Sequence, residues 1–420
     1  MGFSFQYRGR LSALSHPQYL RYWLGSFASV GATQLMVMGQ GWLVYELSGS
    51  AMNLGYLGAA ASIPTIAMTL FGGALADRLD KRSVLMTTSL LVGSLLMVLA
   101  ILDYSETVAV WHVLLIAGLI ALVSGFDWPT RQAIFPLLID QKDMMSAVAL
   151  NSIIWQSCRM IMPAFGGVLI AVSDTWLVFL LCAVGFFIMF MVVSGLKVTL
   201  PVNTKAIGST LAQISEGVQF IAGNHLFAIL IPLSFAGMFF GTSYMQLMPA
   251  FSDLLNTDGT GYGYLISATG IGAVAGTILV GSLQDSRRLG AIMLMSCAMA
   301  AILIYVFAGV TAFAADLPGA YVLALVSVFT ISVCSSVFMI TSLTVMQLNV
   351  PDEIRGRVMG IHGITYSMIP LGGLLAGAIA SVSSAPVAIS VGGTVYLVIV
   401  LWIGAFRQKI RRIDGRSLSV

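Results

Sequence analysis

One basic side chain, Arg159, lies near the middle of a long apolar run, whereas every other Lys or Arg lies in a terminal segment or in a gap between such runs. A guanidinium at that depth could bind an anionic or polar group of a ligand, or respond to proton movement. A central arginine costs about 2.5–3.5 kcal/mol on insertion scales and is tolerated where it faces protein or water. A structural role, in which Arg159 satisfies carbonyls or polar side chains of neighbouring helices, fits the sequence equally well.

Two carboxylates, Glu46 and Asp127, are the candidates for carrying a proton. Glu46 lies near the end of the first apolar run and Asp127 near the end of the fourth, so surrounding loops could bury either one. Each also has a simpler interpretation, Glu46 as a solvated carboxylate at a helix end and Asp127 as the ion-pair partner of Arg131 or Arg78. No Asp or Glu lies as deep as Arg159, so the residues themselves do not establish proton coupling.

A Gly-rich charged stretch, GGALADRLDKR at residues 72–82, joins the second and third apolar runs and returns as GSLQDSRR at residues 281–288. Gly73 allows close approach of another helix, and Asp77 can interact with a helix N-terminus or a basic side chain. Charges in such a loop can hold one closed state and release it in another, which predicts a gate. A plain topology loop is the alternative.

Twelve apolar runs must position these residues. The chain is 58% hydrophobic and only 9% charged over 420 residues, whereas a soluble domain carries about 25% charged residues. Because a spanning helix needs roughly 20 mainly apolar residues, the sequence predicts an all-α polytopic membrane protein with twelve transmembrane helices. We number the runs as segments 1 to 12: 20–46, 53–76, 84–102, 110–127, 146–172, 175–195, 225–250, 262–284, 289–311, 320–349, 359–382 and 386–406.

The basic residues predict the orientation of these segments. Nineteen of the twenty Lys and Arg residues occupy the terminal segments and every second gap, and the intervening gaps carry acids such as Asp103 and Asp174 instead. Because Lys and Arg are retained on the cytoplasmic side, both termini are predicted to be cytoplasmic in a bacterial-type inner membrane. The basic gaps are 1–21, 77–83, 128–146, 196–224, 285–289, 350–358 and 407–420.

The chain nearly repeats itself at an offset of 208 residues. This offset carries segments 1, 2 and 5 onto segments 7, 8 and 11. Short motifs return in matching segments: SFA at 26–28 and 234–236, GYL at 55–57 and 263–265, and Gly73 and Asp77 as Gly281 and Asp285.

The repeat predicts two six-helix, pseudo-symmetric halves in parallel orientation, which is one of the transporter architectures. We assign residues 1–195 to the N-terminal half and residues 225–406 to the C-terminal half. Residues 196–224 form a cytoplasmic linker whose apolar residues at helical spacing predict an amphipathic helix. Residues 407–420 form a basic cytoplasmic tail.

Residues 72–82 resemble the loop 2–3 signature of the major facilitator superfamily, G-x-L-a-D-r-x-g-r-[KR], with Asp80 in place of the usual Gly. The resemblance covers the whole chain and implies the superfamily's fold of twelve helices in two halves. It also implies that Asp77 and Arg78 belong to a charge relay that stabilises the outward-open state. The complete set of gating candidates is Gly73, Asp77, Arg78, Asp127, Arg131, Asp285, Arg287 and Arg355.

Further stretches are similar to one branch of that superfamily, the drug–proton antiporter group that includes the enterobactin exporter and lysophospholipid transporters. In segment 5, Pro163, Gly166 and Gly167 resemble the end of the antiporter motif G-P-x-x-G-G, with Met162 in place of its first Gly. The proline would bend the helix and the glycines would permit close packing, which could seal one side of a cavity; a simple kink is the alternative. The other stretches are WLVYELSGS at 42–50, PTRQAIFP at 129–136 and VPDEIRGRV at 350–358.

In the superfamily that this chain resembles, segments 1, 4, 7 and 10 line the central pathway. Segments 1 and 7 carry amide, aromatic and Met side chains that could contact varied ligands, and segment 5 adds Arg159. Packing within the protein or against lipid is the alternative for any single Met. The predicted substrate cavity between the halves comprises Gln34, Met38, Trp155, Arg159, Tyr244 and Gln246.

Together these patterns predict a secondary active transporter that exports an amphiphilic small molecule, such as a drug, a siderophore or a related metabolite, by alternating access coupled to proton influx. The expected partners are a small-molecule or lipid-like substrate, protons and membrane lipids; we expect a monomer and no nucleic-acid partner. The sequence has no metal-ligand cluster and no nucleophile–base pattern, so we expect no enzyme activity, no cofactor and no metal. Two alternatives stay open: a lysophospholipid or lipid translocase without proton coupling, favoured by the missing deep carboxylate, and a non-transporting membrane sensor.

Overall fold

The computed structural model describes residues 11–76, 80–196, 210–283, 286–313 and 315–415. In that part of the chain the regular structure is entirely helical. Nine of the described helices are long and apolar enough to cross a membrane, and Val110–Ser124 is a shorter apolar helix. The all-α polytopic fold is therefore confirmed, while the count of twelve spanning helices stays a prediction.

The helices of the N half (residues 11–196) follow the predicted segments. A 3-10 turn, Ser12–Ser15, precedes segment 1, and the helix Asp127–Ile134 with the turns Phe135–Leu138 and Gln141–Asp143 connects segments 4 and 5. The helices of segments 1 to 6 are Pro17–Ser48, Ala51–Ala76, Lys81–Tyr104, Val110–Ser124, Met144–Ser173 and Thr175–Ser194.

In the C half (residues 227–415), segments 7 and 11 are interrupted, whereas the sequence predicts continuous runs there. Segment 7 consists of Phe227–Ala236, a π turn Gly237–Gly241, a 3-10 turn Ser243–Met245 and the helix Met248–Leu254. Segment 11 consists of Arg355–Gly363, a 3-10 turn Ile364–Ser367 and Met368–Val382. Segments 8, 9, 10 and 12 are Gly259–Leu283, Leu289–Phe313, Ala320–Asn349 and Ala385–Phe406. The helices Thr210–Gly223 and Gln408–Arg411 lie in the linker and in the tail.

The interruption of segment 7 lies where the ring of Tyr396, from segment 12, packs against it. A Cβ added at Gly237 or at Gly241 would come within 3.0 Å of Tyr396 atoms, and the ring itself is buried. Short π turns inside α-helices occur frequently at functional sites. The two glycines thus let an aromatic ring occupy the space beside a widened turn, a contact between distant segments that local sequence does not reveal.

The two halves meet along two helix pairs, segment 2 with segment 11 and segment 5 with segment 8. The repeat exchanges these pairs, since it carries segment 2 onto segment 8 and segment 5 onto segment 11. A Cβ added at Gly58 would lie 2.4 Å from the carbonyl oxygen of Pro370, and one added at Gly263 would lie 2.4 Å from that of Pro163. Both crossings therefore require glycine for this close approach of backbones.

The two ends of the helix bundle differ in charge. We name the end that holds the start of segment 1 and the end of segment 12 the basic end, and the opposite end the acidic end. At the basic end, Nε2 of His16 lies 2.9 Å from the carboxylate of Asp143. At the acidic end, the amide of Asn256 donates to Asp316 at 3.3 Å. Contacts of this kind join loops that the predicted topology assigns to the same side.

Candidate translocation pathway between the two halves

Described hydrogen bonds close the acidic end between the halves. The hydroxyl of Tyr45 donates to the carboxylate of Asp253 at 3.0 Å, and these residues occupy equivalent positions in the repeat. A contact between equivalent positions lies close to the axis that relates the halves. Beside it, the hydroxyl of Tyr262 donates to the carbonyl of Met38 at 3.2 Å, and the rings of Trp42 and Tyr262 are 5.3 Å apart.

Two predicted cavity residues, Met38 and Gln246, take part in this contact between the halves. Gln246 donates from Nε2 to the carbonyl of Leu54 at 2.9 Å, and a Cβ on Gly373 would lie 2.4 Å from its Cγ. The side chain of Met38 is only 1% exposed and belongs to the apolar core. Both residues therefore lie at the seam, where they hold the halves together in this conformation.

Arg159 and Tyr244 lie near each other from opposite halves. The charge of Arg159 acts on the hydroxyl of Tyr244, whose side chain is buried and packs on Phe307 at 6.0 Å between ring centroids. Arg159 is half-buried, and within the described residues no hydrogen bond or ion pair engages its guanidinium. Its own carbonyl oxygen faces segment 8, where a Cβ on Gly270 would lie 2.6 Å away. The guanidinium is thus held at the seam with its donors available.

Trp155 lines a small polar pocket inside the N half, together with Tyr22, Ser26, Arg131 and Gln132. This pocket lies between segments 1 and 5 and the short helix after segment 4, on the side of the basic end. Gln34, on segment 1, is half-buried. The structure therefore brings Trp155 close to a predicted gating residue, Arg131.

Arg131, which lines that pocket, forms an ion pair with Asp127. Nε of Arg131 donates to Asp127 at 2.5 Å, one helical turn away, and Nη1 donates to Oγ of Ser29 at 3.1 Å. Tyr22 donates to the carbonyl of Arg131 at 3.4 Å. Because the Arg131 side chain is only 9% exposed, its charge depends on Asp127 for compensation. Asp127 is therefore observed as the ion-pair partner of Arg131. Ser29 and Tyr22 of segment 1 are hydrogen-bonded to the same arginine.

Glu46 lies at the acidic end within electrostatic reach of Asp103 and Asp174. Its side chain is exposed, and Asp103 accepts a hydrogen bond from Oγ1 of Thr175. Asp174 joins segments 5 and 6 and has a positive φ of 69°. Three carboxylates from different elements of the N half thus gather on one side of the membrane, but Glu46 is not enclosed by protein.

Several predicted gating residues fall beyond the reach of the described structure. Asp77, Arg78 and Asp285 lie outside the described residues, and Gly73 lies in the last turn of segment 2. Arg287 is exposed. Arg355 pairs with Asp352 at 2.5 Å, and both side chains are largely exposed. The gate role of all these residues stays a prediction.

Asp80, the departure from the superfamily signature, has a local structural role. Its carboxylate accepts from the backbone N–H of Ser83 at 3.0 Å and from the Ser83 hydroxyl at 2.6 Å. It is therefore the N-cap of segment 3. The hydrogen bond from the Ser83 hydroxyl is the main reason that the pKa of the Asp80 carboxyl lies below its usual value.

Sequence reasoning missed two positions at the basic end, Arg82 and Gly290, which are 208 residues apart. Arg82 donates from Nε to the carbonyl of Val193 at 3.1 Å and from Nη2 to that of Ser194. It thereby satisfies carbonyls at the end of segment 6, which the helix itself leaves unpaired. Gly290 instead lies against the tail, where its N–H donates to the carbonyl of Ile413 at 3.1 Å. From residue 78 to residue 82 the residues at this offset all differ, so the repeat gives no signal for the pair.

One group of side chains in the described part of the chain has the spacing of a cation site. His16, Asp140 and Asp143 bring one ligand atom each to within 4.8 Å of one another. Lys142 already pairs with Asp140 at 3.2 Å. The Lys142 ammonium thus balances the charge of Asp140, and Asp143 is bound by His16. These two pairs explain the cluster without a metal ion.

Comparison with known proteins identifies the fold and the family. A sequence model of a major facilitator family described as "transmembrane secretion effector" matches residues 8–419. The chain belongs to this family. Members of the fold with solved structures include the nucleoside transporter NupG, with a TM-score of 0.71 at 14% identity over 92% of this chain and 98% of that one. A bacterial homologue of the iron transporter ferroportin gives a TM-score of 0.69 at 17% identity over 94% of this chain and 99% of that one.

Curated relatives are exporters and transporters of small molecules. The staphyloferrin A transporter of Staphylococcus aureus is 28% identical over 348 residues, covering 80% of this chain and 83% of the relative. The multidrug efflux pump Tap of Mycolicibacterium fortuitum is 26% identical over 359 residues, covering 81% and 83%. The enterobactin exporter EntS of Shigella flexneri is 23% identical over 405 residues, covering 94% of each chain. This family member is therefore a multi-pass membrane protein of the transporter class.

Proposed function

We propose that this protein exports an amphiphilic small molecule, such as a siderophore, a drug or a related metabolite, by alternating access coupled to proton influx. The relatives named above move a siderophore or drugs, which supports this class of substrate. Substrate would bind between the halves near Arg159, Trp155 and Gln34. The basic end would face the cytoplasm, in keeping with its excess of Lys and Arg.

The observation that carries the proposal is the position of Arg159 at the seam, where no hydrogen bond or ion pair within the described residues engages its guanidinium. A charged side chain at this depth is expensive unless it meets protein, water or a ligand, and no described side chain pairs with it. The hydrogen bonds at the acidic end, including Tyr45 to Asp253 at 3.0 Å, support a state that is closed on that side. Opening there and closing at the basic end, with Asp77, Arg78 and Asp285, would release the substrate outward.

The experiment is transport of a catecholate siderophore and of a cationic dye in sealed vesicles with an imposed pH gradient. We expect transport per folded molecule to fall at least about tenfold for Arg159→Ala, the equivalent of about 1.4 kcal/mol of lost ligand interaction. Arg159→Lys should retain part of the activity with the anionic substrate. Arg21→Ala is the control, because Arg21 is exposed at the basic end.

Three outcomes would count against parts of the proposal. Unchanged transport by Arg159→Ala would remove the residue from the substrate site. A loss of folded protein with normal transport by the remainder would assign Arg159 a structural role. Transport that ignores the pH gradient would end the claim of proton coupling, and Glu46 would lose its candidacy as a proton carrier.

A specific feature favours the second candidate, a lipid translocase without proton coupling. A groove of about 810 Å³ opens between segments 5, 8 and 10, and its lining, which includes Met160, Phe165, Tyr264, Ile271 and Phe329, is almost entirely apolar. A hydrocarbon chain fits such a lining, because burial of apolar surface is favourable. Movement of a fluorescent lysophospholipid between leaflets, without a pH gradient and faster than that of a siderophore, would favour this function over the first.

A further inference from the structure

The tail that follows segment 12 is docked on the loop between segments 8 and 9. The N–H of Gly290 donates to the carbonyl of Ile413 at 3.1 Å, and the N–H of Gly415 donates to the carbonyl of Ser286 at 2.9 Å. Ile410 is fully buried in the core of the C half, beside Leu289. A Cβ on Gly290 would lie 1.9 Å from the carbonyl oxygen of Ile410, so this docking requires glycine at position 290.

Docking gathers cations from two distant parts of the chain at one edge of the bundle. In the described residues none of the exposed cations of this edge has an ion-pair partner. One acid, Asp414, lies in the same stretch and is engaged in an interaction of its own. The exposed cations are Arg287, Arg288, Lys409, Arg411 and Arg412.

Two exposed aromatic side chains lie beside the docked tail. Trp402 and Phe406, at the end of segment 12, are 49% and 73% exposed. Arg407 lies over the ring of Trp402, with Cζ 5.1 Å from the ring centroid, and its buried Nε has no hydrogen-bond partner among the described residues. Because Trp side chains prefer the headgroup level of a bilayer, the cations of the docked tail lie at that level too.

The equivalent edge of the N half uses its charge differently. There Arg82, at the position equivalent to Gly290, directs its guanidinium to the carbonyls of Val193 and Ser194. The retention of cations on one side of the membrane explains why both loops are basic. It does not explain the backbone contact that docks the tail at Gly290, which has no counterpart at Arg82 in the described residues.

We propose that the clamp formed by residues 286–290 and 407–415, which we name the tail clamp, binds the headgroup of an anionic phospholipid. The lipid phosphate would accept from Arg288, Arg411 and Arg412, and its acyl chains would lie along Trp402 and Phe406. A negatively charged leaflet attracts basic clusters of this kind. The choice of leaflet follows the proposed topology, whereas the binding itself is independent of the transported substrate.

The test is binding of phosphatidylglycerol, with phosphatidylcholine of the same acyl chains as the neutral reference, to the full-length protein by native mass spectrometry. We expect wild-type protein to retain phosphatidylglycerol preferentially. The triple variant Arg288→Gln, Arg411→Gln, Arg412→Gln should bind it at least about tenfold more weakly. The matched control removes the same charge elsewhere at the basic end, with Arg21→Gln, Lys81→Gln and Lys142→Gln, and should bind as wild type does.

A second variant separates a built site from general charge. Gly290→Val keeps every cation but cannot dock the tail, so it should lose the preference for phosphatidylglycerol while trypsin cleaves faster after Arg411 and Arg412. The proposal is overturned if wild type does not discriminate between the two lipids, or if the triple variant and its control lose binding equally. It is also overturned if Gly290→Val binds normally, or if glycerol phosphate competes as well as the intact lipid, which would indicate a site for a soluble anion.

Discussion

The connections between segments 4 and 5 and between segments 10 and 11 are equivalent in the repeat. Each contains an Arg–Asp ion pair, but the two pairs differ in solvent exposure. In the first, Arg131 is 9% exposed and its partner Asp127 is 23% exposed. In the second, Arg355 is 51% exposed and its partner Asp352 is 81% exposed. The same kind of ion pair is thus part of the interior in one half and part of the surface in the other.

The difference extends to the rest of the basic end. The N half closes its helix ends with side chains, as Arg82 does at segment 6. In the C half the N–H of Gly290, at the position equivalent to Arg82, donates to the carbonyl of Ile413 in the tail. Segment 1 is one continuous helix of 32 residues, whereas its counterpart, segment 7, is broken at a π turn. The two halves of the repeat therefore differ in the continuity of their first helix and in the contacts at the basic end.

Removing the acid from each ion pair should give the largest contrast between the halves. Asp127→Asn leaves the buried guanidinium of Arg131 uncompensated, so we expect a loss of about 3–5 kcal/mol in the free energy of unfolding. Asp352→Asn should cost less than about 1 kcal/mol, because its pair is exposed. Equilibrium unfolding in detergent measures both. Equal costs would show that the two pairs are energetically alike despite their burial.

The glycines of two similar stretches, PAFGG at 163–167 in segment 5 and PLGG at 370–373 in segment 11, should give an intermediate contrast. A Cβ on Gly372 would lie 1.9 Å from the carbonyl oxygen of Phe239 at the π turn, whereas one on Gly166 would meet the side-chain atoms of Leu35 and Met38 at 2.7 Å and 3.1 Å. A side chain can move away from an added methyl group more easily than backbone can. Gly372→Ala should therefore lower the free energy of unfolding by about 1–3 kcal/mol, and Gly166→Ala by less.

The measurement is the thermal midpoint of each variant in detergent, together with transport per folded molecule. Gly372→Ala should also reduce transport, because it displaces the interrupted part of segment 7. A Gly166→Ala variant that loses more stability than Gly372→Ala would mean that the interrupted half is the more adaptable one.

The smallest contrast concerns the caps of segments 3 and 9. Asp80→Ala should cost about 1 kcal/mol through loss of the N-cap, whereas Arg288, at the equivalent position, provides no side-chain cap and Arg288→Ala should be nearly neutral. Because the pKa of Asp80 is lowered in the folded protein, its stabilisation is complete above the unfolded pKa of about 3.9. That stabilisation is lost as pH falls through the folded pKa.

Asp80→Asn provides the control for this pH effect, since an amide oxygen can still cap the helix but does not titrate. The difference in thermal midpoint between wild type and Asp80→Asn should therefore shrink between pH 7 and about pH 3. A constant difference over that range would contradict the role of the carboxylate.

The sequence predicts the helices well because apolar runs of sufficient length leave few alternatives. It also predicts the close packing at Gly167, since small residues beside a proline allow backbones to approach. The interruption of segment 7 was not predicted, because it depends on the ring of Tyr396, which comes from a segment more than one hundred residues away.

The site was predicted less completely than the fold. Gln246 lies on a segment expected to line the pathway, but its rotation about the helix axis directs its amide to the carbonyl of Leu54 across the seam. Met38 contacts the other half through its backbone carbonyl, which the sequence pattern does not predict. Trp155 and Arg131 come together only because a short helix, Asp127–Ile134, folds back toward segment 1. In the sequence Asp80 is only a departure from the superfamily signature. The structure shows that it caps the N-terminus of segment 3 by accepting hydrogen bonds from Ser83.

The hydrogen bond from Tyr45 to Asp253 joins positions that the repeat makes equivalent. In a symmetric pair of identical ancestors, that position would have placed tyrosine beside tyrosine or aspartate beside aspartate. A tyrosine that donates to an aspartate at this pair of positions requires two copies with different sequences. If the halves arose by duplication, the Tyr45–Asp253 hydrogen bond formed only after the two copies had diverged in sequence.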